Sequence, residues 1–101
     1  ETENLNYANA LHNLSMIYYY QGEYAKAEPF CIEALNLREK LLGKNHNHYA
    51  TSLNNLALIY FHQENYDKAK PLLIGAIAIV EKSLGKMSAR YGQFLKTLAL
   101  M

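Results

Sequence analysis

Histidine and cysteine are the side chains of this sequence best suited to catalysis or metal binding. The four histidines are His12, His46, His48 and His62, and the one thiol is Cys31. His46 and His48 form a His-x-His pair that could ligate a metal ion. No carboxylate or cysteine accompanies the pair at close spacing, which favours an ordinary polar turn. Cys31 falls on an apolar stripe, so we expect a core thiol.

No catalytic motif accompanies these side chains. The sequence has no glycine-rich phosphate loop, no Ser-His-Asp order and no paired carboxylate motif, so we expect neither enzyme activity nor a cofactor or metal. Ten basic and nine acidic residues give a net charge of +1. This balance gives no reason to expect nucleic acid or an anionic membrane as a partner. A single cysteine excludes an intrachain disulfide and fits a reducing compartment such as the cytoplasm.

The sequence repeats itself with a period of 42 residues. Aligning residues 7–48 with 49–90 gives 19 identities in 42 pairs, where unrelated segments would share roughly two or three. Residues 91–101 continue the register. We therefore expect one domain over 1–101, with unit one at about 7–48, unit two at about 49–90 and a partial unit three at 91–101. A start at Glu1 without Met favours a fragment of a longer protein.

Each unit has the periodicity of two amphipathic helices. Apolar residues recur every three or four positions, first before Gln21-Gly22-Glu23 and then before Gly43, and unit two repeats this pattern. Gly22 suits a left-handed helix stop, and we expect Asn65 to adopt that conformation in unit two. Small residues would let neighbouring helix axes approach closely; they are Ser15, Ala27, Ala34, Ala57, Ala69 and Ala76. The pattern predicts an all-α solenoid of antiparallel helix hairpins.

This spacing of small and large residues resembles the tetratricopeptide repeat. The signature in unit one is Leu11, Leu14, Ser15, Tyr18, Gly22, Tyr24, Ala27, Cys31 and Ala34. The 42-residue period, the phrase "LNNLALIY" and the "LGK" helix ends resemble the longer variant found in kinesin light chains. The resemblance implies a right-handed superhelical scaffold that binds a peptide segment of a partner protein in a concave groove lined by the first helices.

The resemblance also implies which residues line that groove. Unit one would present Asn9, His12, Asn13, Met16, Tyr19 and Tyr20, and unit two would present Thr51, Asn54, Asn55, Leu58, Phe61 and His62. The partial third unit would add Gln93, Lys96, Thr97 and Leu100.

Asparagines at equivalent places of the two units are the leading candidates for peptide contact. A side-chain amide can donate to and accept from an extended peptide backbone. We expect Asn13 and Asn55 to face away from the apolar stripe and to form such hydrogen bonds with a bound peptide. The alternative is that neither residue touches a ligand. Tyr19, Phe61 and Met16 would supply aromatic and soft apolar pockets. Tyr19 and Phe61 could instead pack against the neighbouring helix.

Other partners fit the sequence less well. Some tetratricopeptide domains clamp chaperone C-termini with Lys, Asn and Arg, but the corresponding places here offer no fixed cation. Lys96 is the only permanent cation expected in the groove, which disfavours nucleic acid. The C-terminal helix carries more apolar surface than one contact can bury, so self-association through this open end is a further expectation. A structural spacer without a groove ligand is the alternative function.

Overall fold

The computed structural model describes residues 4–101, which contain five α-helices. They are α1 Leu5–Tyr20, α2 Tyr24–Leu42, α3 Asn47–His62, α4 Tyr66–Leu84 and α5 Ala89–Ala99. Each helix packs against the next one along the chain, which confirms the expected solenoid of two helix hairpins and the first helix of a third. Residues 1–3, assigned to the same domain from sequence, lie outside the described range. None of the five helices is both long enough and apolar enough to cross a membrane.

Polar side chains start three of these helices. The Oδ1 of Asn4 accepts from the backbone N–H of Tyr7 at 2.8 Å, and the Nδ1 of His46 accepts from the N–H of His48 at 3.0 Å. Ser88 caps α5 by accepting from the N–H of Tyr91. Each cap satisfies a backbone donor that the first helical turn leaves without a partner. His46 therefore has a local structural role.

Both hairpin turns share one hydrogen-bond pattern, but the left-handed residue of unit two is Glu64. Gly22 has φ 78° and Glu64 has φ 62°, whereas Asn65 has φ −100°. The expectation for Asn65 was therefore wrong. The N–H of Glu64 donates to Phe61 O and that of Asn65 donates to Tyr60 O. In unit one, the N–H groups of residues 22 and 23 donate to the equivalent carbonyls of residues 19 and 18. These two backbone hydrogen bonds determine which residue of the turn takes the left-handed conformation. Glu64 stands at that position and adopts the conformation although it has a side chain.

Small residues form the contact line between helices. Ala8, Ala27, Ala50, Ala57, Ala69 and Ala76 have no exposed surface. Ser15 stands at the place of Ala57, and its buried hydroxyl donates to the backbone carbonyl of Ala27 at 3.1 Å. Cys31 is buried in the main hydrophobic cluster, as expected for a core thiol. Any larger side chain on this line would push the helices apart.

Candidate functional site

Helices α1, α3 and α5 carry the residues predicted to line the groove, except Leu100, which follows the end of α5. We refer to the side that these residues form as the first-helix surface. Two contacts join α1 to α3 along it. The Nδ2 of Asn55 lies 3.1 Å from the Nδ1 of His12; an amide nitrogen can only donate, so the imidazole nitrogen accepts. The Oη of Tyr19 lies 3.1 Å from the Nε2 of His62. These contacts make one continuous surface from two units.

Half of the six predicted residues of unit one lie open on this surface, and His12 and Tyr19 are half-buried. Asn9, Asn13 and Tyr20 are exposed, and Met16 is half-buried. The side chain of Asn9 is already engaged, because its Oδ1 accepts from Arg38. Asn13 and Tyr20 are the side chains of α1 best placed to meet a partner.

The predicted residues of unit two are less accessible. Asn54 and Asn55 are 4% and 7% exposed, whereas Thr51, Leu58 and Phe61 are half-buried and His62 is exposed. Asn13 and Asn55 were expected to share one environment, and they do not. The difference arises because α2 packs against α3 and His12 of α1 bonds to Asn55, whereas no described helix precedes α1. The amide of Asn55 is already hydrogen-bonded to His12 within the fold.

An aromatic corner stands where α1 and α3 end, formed by Tyr19, Tyr24, Phe61, His62 and Tyr66. The rings of Tyr24 and His62 are parallel with centroids 4.8 Å apart, and Tyr19 meets both edge-on. The ring of Phe61 extends the corner to Tyr66, with the two ring centroids 5.5 Å apart. A shallow depression of about 570 Å³ lies beside it, between residues 22–26 and 62–63. Such a corner offers flat faces on which planar or apolar side chains can pack.

A buried arginine on α2 forms hydrogen bonds with both α1 and α3, and sequence reasoning missed it. Arg38 on α2 is 4% exposed. Its Nη1 donates to Ser52 Oγ at 2.8 Å and to the backbone carbonyl of His48 at 3.3 Å, and its Nη2 donates to Asn9 Oδ1 at 3.2 Å. The signal was present, since Arg38 stands where unit two has Val80, on a buried stripe. Lys96 was the only permanent cation expected in the groove from sequence, and a buried cation behind it, such as Arg38, was not considered.

Negative charge is absent from the three helices of the first-helix surface. The sequences of α1, α3 and α5 contain no Asp or Glu. Burial, with the nearby charges of Arg38 and His48, lowers the pKa of His12. Burial, with Arg38, His46 and Arg90, likewise lowers the pKa of His48. Both pKa shifts arise mainly from burial, and the positive charge of Arg38 adds to it where α1 meets the start of α3.

One buried acceptor on α3 has no partner within residues 4–101. It is the Oδ1 of Asn54. His12, the equivalent residue of unit one, is bonded to Asn55 on the next first helix. The place of Asn55 in unit three is taken by Thr97, whose hydroxyl donates to Gln93 O of its own helix instead.

Within the described residues, no three His, Cys, Asp or Glu side chains come together in a way that could hold a metal ion.

Comparisons with known proteins agree with this architecture. The family model described as tetratricopeptide repeat matches residues 6–82, more than half of the chain. Among solved structures, the crystal structure of BtubC (BKLC) from P. vanneervenii aligns with a TM-score of 0.89 and 28% sequence identity. The alignment covers 97% of this chain and 39% of that one. No curated protein matches the sequence significantly.

Proposed function

Because the chain belongs to the tetratricopeptide repeat family, whose members generally mediate protein–protein interaction, we propose that it is a non-catalytic scaffold that binds a peptide segment of a partner protein on its first-helix surface. The partner would lie across α1 and α3 and contact Asn13, Met16 and Tyr20 before reaching Leu58. No cofactor, nucleic acid or membrane takes part in this function.

The observation that carries the proposal is the continuity of the first-helix surface. The bonds His12–Asn55 and Tyr19–His62 fix α1 beside α3, so side chains from two units are held in one orientation before any partner arrives. Preorganisation of this kind lowers the ordering cost of binding. Exposed Asn13 supplies an amide for a peptide backbone, and the aromatic corner supplies flat faces for side chains.

Peptide display against the folded chain tests the proposal. Segments selected from a random library are expected to lose affinity for the Asn13→Ala and Tyr20→Ala variants, because both residues are exposed on α1 and removing either deletes contacts without disturbing the core. Aromatic anchors at interfaces commonly contribute about 2 kcal/mol, so Tyr20→Ala should weaken binding roughly thirtyfold.

The matched control is Asn36→Ala. Asn36 is also an exposed asparagine, but it lies on α2, so its loss should leave peptide affinity unchanged. Selected segments that bind wild-type and Tyr20→Ala equally well, or that respond only to Asn36→Ala, would contradict binding on the first-helix surface.

Self-association is the second candidate function, and the C-terminal end of the fold favours it. Met87 is 98% exposed and Leu100 66% exposed, and Leu84 and Leu95 are also exposed there. Apolar side chains grouped at one end favour contact with a second copy. Sedimentation over a hundredfold concentration range is the measurement. A concentration-dependent dimer that Met87→Ser and Leu100→Ser abolish would support this function, and a monomer throughout would exclude it.

A further inference from the structure

We propose that the hydrogen bond between His12 and Asn55 is a pH-sensitive link between the two units. Acidification breaks this link, loosens α1 from α3 and weakens the binding of a partner segment to the first-helix surface. This inference rests on the proposed function, because it names a regulation of binding at the same surface. It concerns the contact between two helices and not the unfolding of the whole chain.

The small number of direct bonds between α1 and α3 is the first support. Each of these helices packs against α2, which lies between them in the chain. Within residues 4–101, two hydrogen bonds join α1 directly to α3, and both use an imidazole nitrogen. The Nδ1 of His12 meets the Nδ2 of Asn55 at 3.1 Å. The Nε2 of His62 meets the Oη of Tyr19, also at 3.1 Å.

The chemistry of the His12 contact is the second support. The Nδ2 of Asn55 can only donate a hydrogen bond, so the Nδ1 of a neutral His12 accepts it. Protonation places a hydrogen on that nitrogen, and two donors then face each other. Asn55 is 7% exposed, so its packing opposes the amide rotation that would bring Oδ1 to the imidazolium. The link is therefore lost when His12 takes up a proton.

The charges around His12 are the third support. Arg38 on α2 and His48 on α3 face it, and together with burial they lower the pKa of His12. The imidazole is therefore neutral at neutral pH, and the link opens as the pH falls through a folded pKa below the usual value of about 6.5. The sequences of α1, α3 and α5 contain no carboxylate that could hold the imidazolium in place.

The contact of His62 should survive acidification, unlike that of His12. A tyrosine hydroxyl can accept as well as donate, so Tyr19 can also bond a protonated His62. The imidazolium would lie parallel to the ring of Tyr24, whose centroid is 4.8 Å away, and a cation over an aromatic face is stabilised. Glu23 and Lys26 line the depression beside it and pair with each other. Acid therefore separates the middles of α1 and α3 while their ends stay joined.

Separation of the two helices has a direct cost for binding. A partner segment that lies across α1 and α3 would have to hold the helices in position itself, and this ordering cost reduces its affinity. The loss of one hydrogen bond should weaken binding roughly fivefold.

The test is a pH titration of binding, with segments selected by peptide display on the wild-type chain at pH 8. The segments used contain no ionisable side chain and are blocked at both ends, so only the protein titrates. Between pH 8 and pH 4.5 their affinity should fall roughly fivefold. The midpoint of this fall should coincide with the pH at which NMR shows His12 taking up its proton. Circular dichroism at each pH monitors whether the chain remains folded.

Two matched variants assign the pH response to His12. His12→Asn should remove it, because an amide oxygen can accept from Asn55 at every pH in this range. Asparagine already stands at the equivalent place of unit two, as Asn54. The control is His46→Asn, the same exchange at the histidine that caps α3, where asparagine is also a good cap. The control variant should keep the wild-type pH response.

The side-chain amide signals of Asn55 give an NMR readout that needs no partner. In the free wild-type chain they should shift as His12 titrates, and NOEs between the Asn55 amide and the His12 ring should vanish over the same pH range. The amide signals of Asn36, which is exposed on α2, should not respond.

The possible outcomes separate this inference from the function on which it rests. A selection that yields no binder at pH 8 would count against peptide binding, while the Asn55 signals would still decide whether the link opens. Segments whose affinity does not change with pH, or changes equally in His12→Asn, would overturn the regulation and leave peptide binding intact. Asn55 signals that ignore the titration of His12 would overturn the link. So would a His12 that takes up its proton only as the chain unfolds.

Discussion

Arg38 on α2 and Ser52 on α3 form a buried hydrogen bond of 2.8 Å at the junction between unit one and unit two. The equivalent residues at the next junction are Val80 and Phe94, and both are buried in one hydrophobic cluster. The two junctions therefore solve the same packing problem differently. A long polar residue faces a small hydroxyl in one, and a smaller apolar residue faces a large ring in the other.

Replacing the Arg38–Ser52 pair by the Val–Phe pair of the next junction should reveal a strong energetic coupling between the two positions. Arg38→Val alone should destabilise the fold by ~2 kcal/mol, because Ser52 and the His48 carbonyl lose their donor. Ser52→Phe alone should destabilise it by a similar amount, about 2 kcal/mol, because Arg38 leaves no room for the ring. The double variant should be more stable than the sum predicts. Urea unfolding of all four proteins measures the coupling, and simple additivity would refute the complementary pairing.

The stability of the fold should fall as the pH drops below neutrality, partly through His12. Burial and the charges of Arg38 and His48 lower the pKa of His12 in the folded chain. Stability is therefore fully present above the unfolded pKa of about 6.5, and it is lost as the pH falls through the lower folded pKa. Protonation also removes the acceptor for Asn55. Unfolding midpoints measured between pH 8 and pH 5 should decrease in wild-type.

His12→Asn is the matched variant for this prediction, since asparagine stands at the equivalent place of unit two as Asn54. The variant should show a smaller decrease in midpoint over the same pH range. A remaining decrease is expected from His48, whose pKa is lowered as well. An unchanged pH profile in His12→Asn would exclude a contribution from His12.

Relieving the left-handed residue of the second turn should stabilise the chain. Glu64 has φ 62°, a conformation that is unfavourable for residues other than glycine by roughly 1 kcal/mol. Glu64→Gly should therefore raise the melting temperature, even though glycine makes the unfolded chain more flexible. Asn65→Gly is the control and should lower it, because Asn65 has a negative φ. The opposite order would show that the strain lies elsewhere in the turn.

Cys31 should not react in the folded protein. Burial raises the pKa of its thiol to about 12, so the nucleophilic thiolate is nearly absent at pH 8. A chromogenic disulfide reagent should label the chain slowly in native buffer and rapidly in denaturant. Labelling that is equally fast in both conditions would mean that the cluster around Cys31 opens readily.

The helices and their order could be predicted from the sequence because they depend on local periodicity and on the internal repeat. Gly43 and Gly85 end α2 and α4 as expected, each with a positive φ. The turn at Glu64 could not be predicted from propensity alone. Its register is set by backbone hydrogen bonds to α3, and these override the preference of the individual residue.

The candidate surface was predicted less completely. Repetition identified the places of Asn13 and Asn55 as equivalent, but burial depends on what precedes each helix, and the alignment does not contain that information. The role of Arg38 was missed for a related reason. A charged residue on a buried stripe is visible in the sequence, whereas the acceptors that receive it belong to two other helices.

By itself, the sequence determined the period, the alternation of helices and the line of small residues between them, since all three follow from spacing along one chain. Only the tertiary structure decided which of two equivalent side chains is covered and where a buried charge emerges. Those outcomes depend on contacts between residues far apart in sequence, such as Arg38 with Asn9 and His12 with Asn55.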